Sequence, residues 1–125
     1  MSHFTEIKTQ IKDIEALRSA CQEMGLPLLQ GAEARGYYEN KTKGDYVIRL
    51  KGPYDIAVNK QADGTIGLRA DLWNGHVEQE VGQGYGRLLQ LYGVHKATME
   101  ARKKGLSVLR RQQPSGAIKL VLMGV

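Results

Sequence analysis

Three histidines and one cysteine hold most of the reactive chemistry this chain could perform, and their spacing restricts it. His3, His76 and His95 lie far apart, with no His-x-x-His or Cys-x-x-Cys pair, so the ligand spacing of structural zinc is absent. A lone cysteine cannot supply the ligands of an iron–sulfur cluster. Cys21 falls on an apolar helical stripe, whereas a reactive thiol needs a basic, exposed setting, so it reads as core packing. No Ser-His-Asp or Cys-His set stands out. His95, with Tyr92 or a strand carboxylate, is where acid–base chemistry could be assembled; the competing reading is a histidine at a helix rim. Gly82-Gln-Gly-Tyr-Gly86 has the glycine content of a phosphate loop. It lacks a following Lys-Ser or Lys-Thr and does not sit in a βαβ turn, so it reads as a kink. The sequence assigns no catalytic residue, cofactor or metal site.

Two other groups suit binding better than catalysis. Alternation along three strands sets Asp45, Arg49 and Lys51 on one sheet face, with Asp55 and Asn59 next, then Arg69, Asp71 and Trp73. Mixed charges on such a face form solvated ion pairs worth less than about 1 kcal/mol each. Arg and Trp are also typical interface anchors, which makes Arg49, Arg69, Asp71 and Trp73 a candidate interaction face. The second group is basic: Arg102, Lys103 and Lys104, followed by Arg110 and Arg111. Alternation puts Arg110 and Arg111 on opposite strand faces, and no aromatic residue is interleaved to stack a base. Weak, sequence-blind attraction to nucleic acid is the most this patch supports, since no helix-turn-helix, RNA-recognition or zinc-finger signature accompanies it.

These residues need a frame. Phe4 to Ile11 alternates as a strand. Asp13 is a plausible cap for a helix carrying Ile14, Leu17, Cys21 and Met24, which Gly25 and Pro27 end. Leu28 to Tyr38 reads as a strand made irregular by Gly31 and Gly36, and Asn40 to Gly44 as a polar turn. Tyr46, Ile48 and Leu50, then Ile56 and Val58, then Ile66, Leu68 and Ala70 present one apolar face across three strands. Gly52-Pro53 and Asp63-Gly64 join them into an antiparallel meander. Asn74 is the expected cap of a second helix reaching about Lys104, with Leu88, Leu89, Tyr92, His95, Met99 and Arg102 along its stripe. Gly82, Gly84, Gly86 and Gly93 predict a break or a late start. Leu106 to Gln113 and Ala117 to Met123 form a last hairpin about Pro114-Ser115-Gly116.

The expected fold class is therefore α+β: an antiparallel twisted sheet with two main helices on one face, in a single domain spanning residues 1–125. Apolar residues at 42% and charged residues at 25% fit a globular chain. Its longest apolar runs, such as Leu120 to Met123, fall far short of the roughly 20 residues that cross a bilayer. Met1 to Ile11 shows no signal-peptide segment, and one cysteine forms no internal disulfide, so cytosol or an organelle stroma is expected. The net charge of +5 is compatible with nucleic acid, an anionic surface or an acidic protein, and does not choose among them.

Several stretches together carry a resemblance. Met1 to Leu17 looks like a family's opening signature. Ala34-Arg-Gly-Tyr37, Asp45 to Leu50, Tyr54-Asp-Ile-Ala57 and Ala70-Asp71 fit its middle; Tyr92-Gly-Val-His95, Gly105 and Gly116 to Leu122 fit its end. In order and over nearly the whole chain, these resemble the family labelled domain of unknown function 1257, which includes the product of an algal plastid reading frame and cyanobacterial counterparts. The glycine-rich Gly82 to Gly86 and the ending Met123-Gly-Val125 depart from that pattern. The resemblance implies no activity, cofactor or catalytic residue. It implies bacterial cytosol or plastid stroma, and an accessory role beside an AAA-type ATPase or a small ferredoxin.

The reading is thus a non-catalytic accessory or interaction protein with an unknown protein partner, acting through the sheet face or an unpaired edge strand. A weak nucleic-acid binder is the alternative, and an enzyme built on His95 a third.

Overall fold

The computed structural model describes residues 3–124. Met1 and Ser2, at the start of the first stretch that carries the resemblance, and Val125, in the ending that departs from it, lie outside the described residues.

The meander forms where alternation places it. Strands β5 (Tyr46–Ile48), β6 (Ile56–Lys60) and β7 (Ile66–Asp71) pair antiparallel at the centre of a five-stranded sheet. β1 (Phe4–Lys8) closes one edge against β7, and β2 (Leu28–Gln30) the other against β5, giving the order β1-β7-β6-β5-β2. Ile48, Ile56, Val58 and Leu68 are fully buried on one face.

Helices cover that face, as expected for an α+β fold. α1 (Ile14–Glu23) begins where Asp13 Oδ1 accepts the amides of Glu15 and Ala16, at 3.0 and 3.2 Å. It buries Ala16, Leu17, Ala20 and Cys21. The second helix is bent: α2 (His76–Val81) and α3 (Gly86–Lys103) are separated by a 3-10 turn at Gln83–Tyr85. Gly82 and Gly84 take φ of 87° and 60° there, left-handed values that cost little only without a Cβ. Within α3 the neighbouring stripe, and not the expected one, faces the core. The buried stripe of α3 is Leu88, Leu91, Val94 and Ala101, while Leu89, Tyr92, His95 and Met99 flank it half-buried and Arg102 is exposed. Nor does Asn74 cap the helix: it sits at φ 58° in a preceding 3-10 turn, and Gly75 holds the cap position with no side-chain bond.

The stretch Leu28 to Tyr38 is not one strand. Its first part is β2; its second, β3 (Glu33–Arg35), leaves the main sheet and pairs with β4 (Lys41–Lys43). This small ribbon lies on the sheet face opposite the helices. Ala34 packs there with Val47 and Ala57, all at 0% exposure. The face expected to be solvated is therefore partly roofed, because small side chains at Ala34 and Ala57 let the two layers close on each other. β8 (Ser107–Gln112) and β9 (Ile118–Met123) form the final hairpin, a separate two-stranded ribbon against α3.

Candidate functional site

Two buried carboxylates organise the roofed face. Asp55, at 0% exposure, takes five donors: the Arg35 Nε, Nη2 and amide at 2.7, 2.8 and 2.9 Å, Arg49 Nη1 at 2.7 Å and the Leu50 amide at 3.1 Å. Burial pushes its carboxyl up, but these bonds outweigh it and hold the group below its ordinary value. Arg35 Nη2 also donates to the Leu50 and Gly52 carbonyls. The site fixes the β3 ribbon to the turn between β5 and β6, with three donors on Oδ2 and two on Oδ1.

Asp71, 1% exposed, does the same for an aromatic cluster. Its Oδ2 accepts the Tyr37 amide and its Oδ1 the Trp73 amide, both at 3.0 Å. One carboxylate thus anchors the loop after β3 and the turn after β7. The rings follow: Tyr37 meets Trp73 edge-on at 5.0 Å and Tyr38 at 4.9 Å, while His76 lies 6.2 Å from Trp73 and 5.0 Å from Tyr54. Tyr38 is 86% exposed and Trp73 46%. Tyr38 also sits at φ 59°, a conformation unfavourable for a bulky residue. Beneath the loop, a Cβ on Gly36 would stand 2.7 Å from the Phe4 ring, so that ring supports the aromatic loop from β1.

The candidate face is thereby rearranged. Trp73 is at the surface, but its neighbours are Tyr37 and His76 and not the two arginines. Arg49 is drawn to Asp55. Arg69 reaches its cross-strand partner Glu6 at 3.3 Å and Thr42 Oγ1 at 3.2 Å. Asp71 lies below the surface, where it positions the aromatic residues. Strand alternation does not place Tyr37 or Tyr38 on the candidate face, Tyr37 entering only as the end of the Ala34-Arg-Gly-Tyr37 motif; an aromatic doublet inside a polar loop, Gly36-Tyr-Tyr-Glu-Asn40, is the signal for them.

His95 and Tyr92 do not act together. Tyr92 OH accepts the amides of Lys12 and Asp13 at 3.2 Å each, serving the start of α1. His95 Nε2 lies 2.7 Å from Glu23 Oε1 on α1, so its acidic neighbour is helical and not on a strand. Arg110 grips the same carboxylate at 2.9 and 3.1 Å and, with His95, holds Glu23 below the usual range. This cluster ties α1, α3 and β8 together. Cys21 is fully buried, and desolvation pushes its thiol up to about 12, so it stays protonated at neutral pH. Among the described residues no three His, Cys, Asp or Glu converge on a point that could hold a metal ion. No helix among them is long and apolar enough to cross a membrane.

Arg102, Lys103 and Lys104 are exposed at the end of α3, with Lys103 reaching Glu100 at 3.6 Å. Cations there complement the helix dipole. An apolar groove of about 370 Å³ runs between β1 and α3, lined by Ile7, Ile11, Leu89 and Tyr92 among others.

Residues 20–121 match the family described as "Protein of unknown function (DUF1257)". The "Uncharacterized protein ycf35" of Pyropia yezoensis is 29% identical over 126 residues, covering 98% of this chain and 96% of that protein. No solved structure matches the chain. Both matches agree with the resemblance carried by the sequence motifs.

Proposed function

We propose that this chain, which belongs to the DUF1257 family, is a non-catalytic accessory protein that engages a protein partner through the aromatic surface at Tyr38 and Trp73. One observation carries the reading. Two large aromatic side chains are held toward solvent, one of them in a left-handed backbone conformation, and a buried carboxylate is spent on fixing the loops that hold them. A sequence under selection for packing alone gains nothing from that arrangement, whereas rigid aromatic anchors are what interfaces use. Arg49 and Arg69, each about one-third exposed, belong to the same side of the sheet and contribute its rim, with Asp71 as the positioning residue. The setting is bacterial cytosol or plastid stroma. An AAA-type ATPase and a small ferredoxin are the partners to try first, following what the family resemblance implies.

Reversing both arginines is a poor test, because Glu at position 49 would face the buried Asp55. The better variant is Tyr38→Ser with Trp73→Ser. Affinity capture from native lysate should lose its specific partner with this variant while circular dichroism and melting stay unchanged. Recovery of the same partner at the same yield would remove this surface from the proposal.

A further inference from the structure

The net positive charge of this protein comes from one end of it. Residues 101–125 contain six Lys and Arg and neither Asp nor Glu, so the other hundred residues hold twelve cations against thirteen acids. The whole excess thus lies on the last turn of α3 and the β8–β9 ribbon. Arg110 is held by Glu23 and Lys103 touches Glu100. Arg102, Lys104, Arg111 and Lys119 have no acidic partner among the described residues.

The same ribbon is under-covered. Of the six residues of β8, only Val108 is not exposed. Leu109, Leu122 and Met123 are 39%, 53% and 44% exposed. Apart from its bonds to β9, no main-chain group of β8 pairs with the main chain of another element among the described residues. β8 is therefore a free strand edge with apolar side chains beside it, which natural proteins either cover or use.

We infer that the outer edge of β8 accepts an extended, acidic segment of a partner protein as an added strand. Charge and order specify that segment. An antiparallel strand would set its residues against Arg111, Arg110, Leu109 and Val108 in turn, so the matching order is an acidic residue for the unpaired Arg111, a second beside Arg110, which Glu23 also holds, and then two apolar ones. A second copy of this chain is a poor occupant: β8 laid antiparallel on itself over this stretch puts arginines against Val108 and Leu109. Nucleic acid is disfavoured because residues 101–125 contain no aromatic side chain on which a base could stack. A bilayer cannot use the free amides and carbonyls of the edge. Nor does an apolar loop tip project toward one: the turn is polar, and Gln90 Nε2 holds it to α3 through the Gly116 carbonyl at 2.9 Å. This site is separate from the aromatic surface.

The test is fluorescence anisotropy with the full chain and a labelled peptide of about ten residues centred on Glu-Glu-Val-Val between threonines. Binding should fall as salt rises, and should be absent for the same peptide with lysines for glutamates. N-methylation of the backbone amides that would face β8 should abolish it without altering charge. Arg111→Glu combined with Lys104→Glu should weaken it by about tenfold or more. Tyr38→Ser with Trp73→Ser should leave it unchanged, which separates this site from the aromatic one. The inference is overturned if the peptide does not bind, if the lysine or N-methylated peptide binds equally well, or if the aromatic variant abolishes binding. Stronger binding to phosphatidylglycerol vesicles or polyuridylate than to the peptide, or sedimentation as a dimer that Arg111→Glu dissolves, would assign the edge to those occupants instead.

Discussion

Asp55 and Arg35 are joined four times over: three donors of Arg35 reach the Asp55 carboxylate, and the Asp55 amide returns a bond to the Arg35 carbonyl at 3.0 Å. The pair links the ribbon layer to the central sheet. Removing the carboxylate leaves the Arg35 and Leu50 amides without acceptors and two guanidinium groups without a counter-ion. Asp55→Ala should therefore cost about 3 kcal/mol in urea unfolding, with partial solvation of the arginines keeping it near the low end for buried pairs. A loss no larger than that of an ordinary surface substitution would show that the ribbon is not fastened here.

The same carboxylate sets an acid limit. Its folded-state value lies below the ordinary 3.8, so the unfolded chain takes up the proton more readily. The stabilisation is complete above about pH 3.8 and is lost as pH falls through the folded value. Glu23, held low by Arg110 and His95, and Asp13, held low chiefly by Lys96, act in the same direction. Stability measured against pH should fall steeply below pH 3.8, and Asp55→Asn should flatten that fall. An unchanged acid limb in Asp55→Asn would assign the transition to other groups.

The sheet was legible where one face is uniformly apolar. Ile48, Ile56, Val58 and Leu68 alternate cleanly, and the Asp63-Gly64 turn fixes their register. The second layer was not, because β3 and β4 are three residues each and mostly charged. The available clue was that Val47 and Ala57, small and apolar, interrupt the polar side of their strands. That side held Asp55 and Asp71, which alternation placed correctly on a face but could not show to be buried. The buried face of α3 differs for another reason: Leu88, Leu91, Val94 and Ala101 lie beside Leu89, Tyr92, His95 and Met99, both stripes carry apolar residues at helical spacing, and periodicity alone does not choose between them.

That phase can be tested directly. Leu88 is fully buried and Leu89 only partly. Leu88→Ala should cost about 2–5 kcal/mol, and Leu89→Ala distinctly less. The opposite ranking would contradict the register of α3.

Glycines in the bent helix should differ in sign as well as size. A Cβ at Gly82 would lie 2.7 Å from the Arg87 amide nitrogen, at φ 87°. Gly82→Ala should destabilise by about 2 kcal/mol or more, since both backbone and packing oppose it. Gly93, in the middle of α3, is exposed and has open space around it. Gly93→Ala should stabilise the protein by about 0.5–1 kcal/mol through helix propensity alone. Thermal melts of the two variants should move in opposite directions.

Trp73 is the only tryptophan in the chain, and it stands in the aromatic cluster at 46% exposure. Its fluorescence therefore reports on this surface without a label. In the free protein its emission should be intermediate and open to acrylamide quenching, as expected of a ring in contact with Tyr37 on one side and water on the other. Asp71→Asn keeps the side chain's shape but replaces one acceptor oxygen by a donor, so it cannot accept both the Tyr37 and the Trp73 amide. That variant should loosen the turn, shift the emission to the red and raise the quenching constant, while the core transition moves by only about 1–2 kcal/mol. If the emission and quenching of Asp71→Asn match the parent, Asp71 does not position Trp73. A bound partner covering the ring should do the reverse, shifting emission to the blue and protecting it from acrylamide. A partner that binds at full affinity and leaves Trp73 as accessible as before engages the protein somewhere else.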